Sequence, residues 1–528
     1  MLRVTIVRCA AAMLCLYAVL TAAPVVERML TVDVRQTQKD LTHSYLGANA
    51  QQFRFHYSVK AMLDQSAAFA TFMSNIGLPV IRMDGRNEYG WFSIEEDRKL
   101  SGNGSRDSLW FSMDEFHRFC RANNIRLIGA FRDEKYYDEK TGTVVVFRDT
   151  PDHFDGGVAN NIKKLSWVVS NGYQDLYTAW EIGNECWSSW DPVLYAQFAR
   201  KMVNAALAVH PGIRLTVPVM LRNTDDPAIK TFMAKVGRSS NWFSWHEKML
   251  PALGEDIKKI SHLQIHVYGS ASMYSANYRG LETISDILAK QPNTDHFRYL
   301  VTEWRYTGVG GVQHRTFRTG ALWNAKFAMT LLSYPKVDYT AAHEFLCTSG
   351  LGYWSPGTEW MYQYPEEKQS GKAPRIPNKT GTAQFDIGPF GPVNRMLNEL
   401  VKECPVLVEH KSDLGPMSSA LYVDGWKQDD SPKASKDLDW FICAKKDRSK
   451  IGGVIVNTTD DMLSVNLSTG EKKYALMDIY QMTCDADKQA QAEIPGEEKF
   501  WHVSPVSLEN GRLMLPPNSI TSFRGTPK

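Results

Sequence analysis

The sequence predicts an α/β fold in which a (β/α)8 TIM barrel is followed by a C-terminal β-sandwich domain. Between residues 42 and 402, short apolar runs alternate with amphipathic helical stretches, which is typical of parallel strands joined by helices. Eight such units can be counted, which favours a closed barrel over an open sheet. After residue 403, brief apolar runs separated by turn residues indicate an antiparallel sandwich.

Each predicted barrel strand is a short apolar run, and helix signals separate the runs. Gly77 suits the position just after a helix C-terminus. Ser112 and Glu115 have the spacing of a capping box, and Asp191 precedes Pro192 as an N-cap followed by a first-turn proline. The first strand ends at Asn49, and the others are predicted at Val80–Met83, Ile125–Phe131, Leu176–Ile182, Arg214–Pro218, Leu263–Tyr268, Tyr299–Trp304 and Tyr339–Phe345. Helices are predicted, among other places, at Ser58–Asn75, Phe317–Leu332 and Val393–Val401.

The C-terminal region is predicted to be rich in short strands. These strands are Trp440–Ala444, Gly453–Asn457, Leu463–Leu467, Tyr474–Tyr480, Arg512–Leu515 and Ser519–Phe523. Leu30–Val34, which precedes the barrel, is a candidate strand of the same sandwich. No long linker separates the two units, so we expect them to pack together. The predicted organisation is a signal peptide at 1–23, an N-terminal strand segment at 24–41, the barrel at 42–402 and the sandwich at 403–528.

The N-terminus has the three parts of an export signal. Arg3 and Arg8 precede an apolar run through Leu20, and small residues follow at 21–23. A membrane anchor is the alternative interpretation, but the run is short for a span of about 20 residues. We therefore expect a secreted or periplasmic protein without a stable membrane span.

Composition excludes several classes of function. The formal net charge is +2 and no basic tail or like-charge block is present, so nucleic acid binding is not expected. The eight cysteines are widely spread and form no CxxC pair, which argues against a zinc ribbon or a redox motif. The sequence does not fix an oligomeric state.

Two glutamates stand at the C-terminal ends of predicted strands, where the active site of a β/α barrel lies. Glu185 follows the fourth strand, and Glu303 lies in the seventh. Carboxyl groups about 5–5.5 Å apart suit retaining glycoside hydrolysis, in which one protonates the departing oxygen and the other attacks the anomeric carbon. The alternatives without a catalytic role are a carboxylate at a helix N-terminus for Glu185 and a solvated loop acid for Glu303. Two carboxylates suffice for this chemistry, so no cofactor and no metal are expected.

These residues resemble the signature of glycoside hydrolase clan A, which is Asn-Glu after strand four and Glu after strand seven. Asn184-Glu185 and Glu303 match it. The resemblance implies that Glu185 is the acid/base and Glu303 the nucleophile, with Asn184 in the substrate-binding set. Arg82, after strand two, looks like the clan's arginine near the nucleophile. The alternative for Arg82 is a residue that only satisfies a buried carboxylate.

Two further segments are similar to members of the clan. His266-Val267-Tyr268 looks like the clan's His-x-Tyr segment after strand six, whose aromatic residue contacts the nucleophile. His266 and Tyr268 are therefore candidate substrate-binding residues, although His266 could be an ordinary core histidine. The run Leu515–Phe523 is similar to the end of the sandwich in families 30, 39 and 51.

The aromatic residue that stacks on the sugar is where the sequence departs from the clan. After strand eight the clan often has a tryptophan, whereas this chain has His343-Glu344-Phe345. Trp304 is the candidate chosen for substrate binding, with ordinary packing as its alternative. Glu181 is expected to face the barrel wall or a polar network. The other aromatic candidates are Trp187, Trp190, Trp354 and Trp360.

Competing motifs fail on inspection. His343-Glu344 does not begin a zincin motif, because Cys347 replaces the second histidine. The sequence has no G-x-S-x-G nucleophile elbow. The motifs therefore favour a secreted retaining glycoside hydrolase acting on a plant or algal polysaccharide or oligosaccharide, in the manner of an α-L-arabinofuranosidase or β-xylosidase. The alternatives are an endo-acting glycanase such as a β-agarase and, from another class, a non-catalytic carbohydrate-binding barrel.

Overall fold

The computed structural model describes most of the chain beyond residue 24. The described residues are 25–50, 63, 66–83, 93–101, 111–220, 245–269, 281, 284–306, 316–343, 352–356, 360–362, 375–377, 383–412 and 438–528 without 471, 490 and 492–497. The predicted signal peptide at 1–23 lies outside them.

Eight parallel strands close into a barrel, which confirms the predicted (β/α)8 fold. The strands follow one another around the barrel in chain order, and their observed bounds agree with the predicted bounds to within two residues. They are Tyr45–Ala50 (β2), Val80–Met83 (β3), Arg126–Phe131 (β4), Tyr177–Ile182 (β7), Leu215–Pro218 (β8), His262–Gly269 (β9), Arg298–Tyr306 (β10) and Val337–His343 (β11). Because all eight run in the same direction, their C-terminal ends meet at one mouth.

Helices follow the barrel strands. Those whose two ends both lie within the described residues are Ser66–Ile76 (α1), Ile94–Ser101 (α2), Met113–Ala122 (α3), Phe154–Ser170 (α4), Pro192–Val209 (α5), Trp245–Ala252 (α6), Asn324–Ser333 (α7) and Gly391–Glu403 (α8). Residues 284–289 are helical as well. A π-helical segment, Phe317–Trp323, leads directly into α7. No helix in the described part of the chain has both the length and the apolar character that a membrane crossing requires.

The helix caps show where local sequence signals hold. The Asp191 carboxylate accepts hydrogen bonds from the backbone N–H groups of Val193 and Leu194, which confirms the predicted N-cap of α5. The predicted capping box at α3 is wrong, because the Ser112 side chain makes no cap hydrogen bond. The first turn of α3 is held instead by the backbone, through the Phe116 N–H and the Ser112 carbonyl.

The sandwich is formed by a nine-stranded sheet. Its strands are Val26–Asp40 (β1), Val406–Ser412 (β16), Leu438–Ala444 (β17), Ile451–Asn457 (β18), Leu463–Ser468 (β19), Tyr474–Cys484 (β20), Trp501–Pro505 (β21), Leu513–Leu515 (β22) and Ser519–Pro527 (β23). Their order across the sheet is β21-β20-β23-β18-β17-β16-β1-β19-β22. Side chains from strands that are far apart in this order, such as Leu30, Trp440, Leu513 and Phe523, share one buried cluster, so the sheet folds over its own core.

Strand β1, the first strand within the described residues, belongs to this C-terminal sheet. Strand β1 pairs antiparallel with β16 and parallel with β19. Shorter strand pairs lie outside both the barrel and this sheet. They are Lys135–Asp138 (β5) with Thr143–Val146 (β6), Gly352–Pro356 (β12) with Ala383–Ile387 (β15), and Trp360–Tyr362 (β13) with Arg375–Pro377 (β14).

The barrel and the sandwich share a core. Leu397 and Leu400 of α8 pack in the same buried cluster as Phe441 of the sandwich. The Lys326 ammonium of α7 also lies 2.6 Å from the Asp439 carboxylate of β17, and both side chains are buried. Since removing one partner of a buried ion pair leaves an uncompensated charge, this contact holds the two units in one arrangement.

Candidate active site

Arg82 is the centre of a buried polar network at the barrel mouth. Its Nε donates to Glu181, its Nη1 to Glu303 and its Nη2 to Asn184, each over 2.7 Å. The guanidinium is fully buried. Because its donors are fixed in one plane, these bonds set the relative positions of side chains from β3, β10 and the end of β7. Arg82 therefore does contact a buried carboxylate, as its alternative interpretation required, and it contacts Glu303 as well.

Glu181 is the fully buried member of this network. Burial raises the pKa of its carboxyl group, while the charges of Arg82 and His266 lower it, and the net shift is upward. With its Oε2 bound to Arg82, the side chain supports the guanidinium from the barrel interior. This matches the role in the barrel wall expected for Glu181.

Glu303 lies in surroundings that stabilise a negative charge. Its side chain is 4% exposed, and its Oε1 accepts the hydrogen bond from Arg82. Its Oε2 lies 3.5 Å from Nδ1 of His266 and 3.4 Å from Nδ1 of His343. An arginine and two imidazoles around one carboxylate favour its ionised form, which is the form that can act as a nucleophile.

Glu185 lies just beyond β7 in a left-handed backbone conformation, with φ of 48°. Gly183 precedes it with φ of 83°, and a Cβ there would collide with the Cys186 sulfur and the Asp133 side chain. The Cys186 thiol donates to the Asp133 carboxylate over 3.0 Å. Non-glycine residues adopt positive φ rarely, so the packing of this turn must hold Glu185 in place. The Glu185 side chain is 28% exposed at the mouth.

His266 bridges the two glutamates. Its Nδ1 lies 3.0 Å from Oε1 of Glu185 and 3.5 Å from Oε2 of Glu303. Burial lowers the pKa of the imidazole, but the carboxylates of Glu303 and Glu185 raise it, and the net shift is upward. The imidazole ring therefore lies where two neighbouring carboxylates favour its protonated form.

The two carboxylates are close enough to act on one glycosidic bond. One oxygen of Glu185, one of Glu303 and one nitrogen of His266 all lie within 4.8 Å of one another. This spacing suits the retaining geometry of about 5–5.5 Å and is shorter than the inverting range of about 6.5–9.5 Å. The same three atoms could also ligate a metal ion. The pair is asymmetric, since Glu303 is enclosed and Glu185 is open to the mouth.

Trp304 lies away from this site, contrary to its prediction as a substrate-binding residue. Its side chain is fully buried and makes edge-on contacts with Phe327 and Phe390, with ring centroids 5.4 and 5.6 Å apart. Neighbouring side chains of a strand point to opposite faces, so a tryptophan next to an inward glutamate faces the helices. A ring covered in this way cannot stack on a sugar.

Two of the remaining aromatic candidates pack against the core, and the side chains of the others lie outside the described residues. Trp190 is buried and stacks on Phe198, while Trp187 is half-buried against the core. The backbone of Tyr268 belongs to β9, but its side chain lies outside the described residues. The side chains of Trp354 and Trp360 also lie outside them.

Asn49 and His343 belong to the site, although neither was assigned a role from the sequence motifs. These residues are register partners at the C-terminal ends of β2 and β11, and Nδ2 of Asn49 lies 2.8 Å from Nδ1 of His343. Both side chains are buried, and His343 approaches Glu303. The available signal was that a polar residue stands at the end of each of two adjacent predicted strands.

Comparison with known proteins supports the fold. No protein-family model matches the sequence, and no curated protein is significantly similar to it. An α-L-arabinofuranosidase from Thermotoga maritima has a TM-score of 0.56 at 13% identity, over 94% of this chain and 99% of that one. A GH51 arabinofuranosidase from Xanthomonas axonopodis pv. citri also gives 0.56 at 13% identity, over 95% and 100%. A family 44 xyloglucanase from Paenibacillus polymyxa gives 0.51 at 9% identity, over 95% and 100%.

These structures belong to glycoside hydrolase clan A, the group that the sequence motifs resemble. At such low identity the likeness establishes the fold alone. The chain therefore has the fold of clan A enzymes that combine a TIM barrel with a β-sandwich.

Proposed function

We propose that the protein is a retaining glycoside hydrolase that cleaves O-glycosidic bonds by double displacement. The observation that carries the proposal is the pair of carboxylates, Glu185 and Glu303, within 4.8 Å at the barrel mouth. One is buried against Arg82 and the other is open to the mouth. Two carboxyl groups in unlike environments fit an acid/base and a nucleophile.

In the first step, the Glu303 carboxylate attacks the anomeric carbon. The bond to the leaving oxygen breaks, and that oxygen takes the proton of the Glu185 carboxyl group. In the second step, the Glu185 carboxylate accepts a proton from water, and the resulting hydroxide displaces Glu303 from the anomeric carbon. The proton is back on Glu185 after one turnover, and the anomeric configuration is retained.

The substrate that we propose is a plant or algal polysaccharide or its oligosaccharides, met outside the cytoplasm after export. α-L-Arabinofuranosidase or β-xylosidase-like action is supported by the described arabinofuranosidases of the same architecture. An endo-acting glycanase, of which a β-agarase is one example, is the second candidate. It is favoured by the xyloglucanase of the same architecture.

A screen of chromogenic aryl glycosides tests the proposal, with the Glu303→Gln variant as the control. We expect turnover of at least one furanoside or xyloside by the wild type and none by the variant. NMR of the freshly released sugar should show retained configuration, and an inverted product would exclude the covalent mechanism. Activity should survive a chelator, because a metal ion has no role in double displacement. Equal inactivity of wild type and variant, with sugar binding intact, would identify a carbohydrate-binding barrel instead.

A further inference from the structure

We propose that a groove between the barrel and the sandwich is a second carbohydrate-binding site, which holds part of a polysaccharide chain away from the catalytic pair. The groove encloses about 670 Å³ and lies between α8 and strands β20, β21 and β23. This volume falls within the usual range of about 300–1,000 Å³ for small-molecule sites. The inference rests on the proposed function, because it takes the occupant from the same class of substrate.

One wall of the groove is aromatic and exposed. Tyr480 of β20 is 45% exposed and Val503 of β21 is 40% exposed, although both are large apolar residues. Met482, two residues along the same strand face from Tyr480, is buried in the core shared with the barrel. The same face therefore continues from the buried contact into solvent. Exposed apolar patches that are bordered by polar residues mark binding sites. An aromatic ring in such a patch offers a flat surface to the C–H face of a sugar.

The opposite wall supplies hydrogen-bonding groups. Arg395 and Glu399 of α8 form an ion pair, Nε to Oε1 over 2.7 Å, with both side chains about half exposed. Glu403 at the base is bound by Lys450 and, over 2.7 Å, by Arg524. Burial raises the pKa of Glu403, but Lys450 and Arg524 lower it and the net shift is downward. The base of the groove is thus formed before any ligand binds, while the ion pair can bond to hydroxyl groups.

The charge of the lining selects a neutral ligand. Three cationic residues, Arg395, Lys450 and Arg524, stand against three anionic ones, Glu399, Glu403 and Asp478. These charges cancel, so the groove lacks the excess positive charge that a polyanion or nucleic acid requires. Hydroxyl groups, which both donate and accept, match a lining that offers both signs.

The course of α8 connects this groove with the catalytic face. Pro392, Arg395, Met396, Glu399 and Glu403 line the groove at helical spacing along one face of α8. The ring of Phe390, the residue before α8, contacts Trp304 near the C-terminal end of β10, so the start of α8 lies nearer to the barrel mouth than its end does. A polymer held along α8 can therefore extend from its N-terminal end towards the mouth that carries Glu185 and Glu303.

Affinity electrophoresis in gels that contain soluble arabinoxylan or xylan tests the site, with all proteins in the Glu303→Gln background so that no polymer is cleaved. We expect Tyr480→Ala to weaken retardation about tenfold, which corresponds to about 1.4 kcal/mol of binding free energy, because the variant loses the ring that contacts the sugar. Val193→Ala is the matched control, because Val193 is 43% exposed on α5, outside the groove. In the active background, Tyr480→Ala should lower kcat/KM on the polymer several-fold and leave aryl glycoside turnover within twofold.

Retardation that is equal in Tyr480→Ala and its parent would overturn the groove assignment. So would self-association without sugar that Tyr480→Ala abolishes, because the groove would then hold a second copy of the chain. The proposed function fails separately. If the wild type turns over no glycoside but retardation still depends on Tyr480, the binding site stands and the catalytic proposal falls. If aryl glycosides are cleaved but no polymer retards the protein, the catalytic proposal stands and the second binding site falls.

Discussion

The two ends of the barrel each hold a buried cluster of charged groups, and the clusters are built differently. At the base, the Lys39 ammonium donates to the backbone carbonyls of Leu332 and Val337. Asp338, at the start of β11, accepts from Arg298 of β10 and lies 3.2 Å from Nε2 of His262 of β9. These contacts join the N-terminal ends of three consecutive strands.

The electrostatics of the cluster at the base favour a role in stability. Burial lowers the pKa of Lys39 to about 7, because the negative charge of Asp338 opposes the effect only partly and the positive charge of Arg298 adds to it. Burial raises the pKa of Asp338, but its bonds with His262 and Arg298 prevail and bring it to about 2. At the mouth, by contrast, Glu185 retains an exposed fraction of 28% beside its imidazole partner. In a β/α barrel the mouth carries function and the base carries stability, so the two clusters should respond differently to mutation.

The largest expected effect is at the mouth. Glu303→Ala should lower the turnover of every glycoside by about 10⁴-fold or more, because no covalent intermediate can form. Azide should then attack the sugar directly from the vacated face and give a glycosyl azide of inverted configuration. Initial rates and NMR of the azide product measure both effects. An azide product of retained configuration would exchange the roles given to the two glutamates.

Glu185→Ala should discriminate between leaving groups. Activated aryl glycosides hardly need protonation, so the glycosyl-enzyme should still form, while its hydrolysis should slow by about 10²–10⁴-fold without a base. Azide needs no base and should restore the rate, with retention. Stopped-flow measurement of the aryl burst and of azide-dependent turnover tests this. If the burst disappears together with turnover, Glu185 acts in the first step with every leaving group.

Asp338→Asn should act on stability and spare activity. The pKa of Asp338 is lower in the folded chain than its ordinary value of 3.8, so its contribution is present above pH 4 and is lost as pH falls towards 2. We expect the free energy of unfolding to drop by about 2 kcal/mol at pH 7 and by little at pH 2. Urea titrations at both pH values measure this. A loss of activity in the still-folded variant would contradict the separation of the two ends.

Cys186→Ala should produce the smallest effect. Without the thiol that bonds to Asp133, the left-handed turn at Glu185 is held less firmly, and kcat should fall about tenfold with KM nearly unchanged. Cys186→Ser keeps a donor and should recover most of that loss. Steady-state kinetics and thermal melts of the two variants separate positioning from stability. Equal activity of both variants and the wild type would show that the turn needs no side-chain support.

The comparison also shows what the sequence could predict. Arg82, Asn184, Glu185, His266 and Glu303 were assigned from motifs at strand ends, and the barrel gathers them because parallel strands deliver their ends to one mouth. Their hydrogen bonds and their burial could not be predicted from the sequence, because both depend on the register of β3, β7 and β10. The roles given to these residues stay predictions until the variants are measured.

Two residues show where motif reading stops. Trp304 was predicted to bind substrate because sugar rings stack on aromatic faces, yet alternation along β10 turns its side chain to the opposite face from Glu303. His343 was considered as a departure from the clan's pattern and as part of a rejected zincin motif, although strand pairing sets it opposite Asn49 and near Glu303. In both cases the facing of the side chain, rather than the residue type, decided the outcome.

Strand β1 has a consequence for how the chain is made. It sits between β16 and β19 in the sheet, so its antiparallel partner lies about 370 residues downstream. At ribosomal rates of about 5–20 residues per second, β1 is synthesised about 20–70 s before that partner exists. During this interval the unpaired edge of β1 is a site for aggregation unless it is shielded. Pairing with so distant a strand also closes a very long loop, which makes folding slow. Separate expression of residues 403–528 would leave the sheet without one of its inner strands.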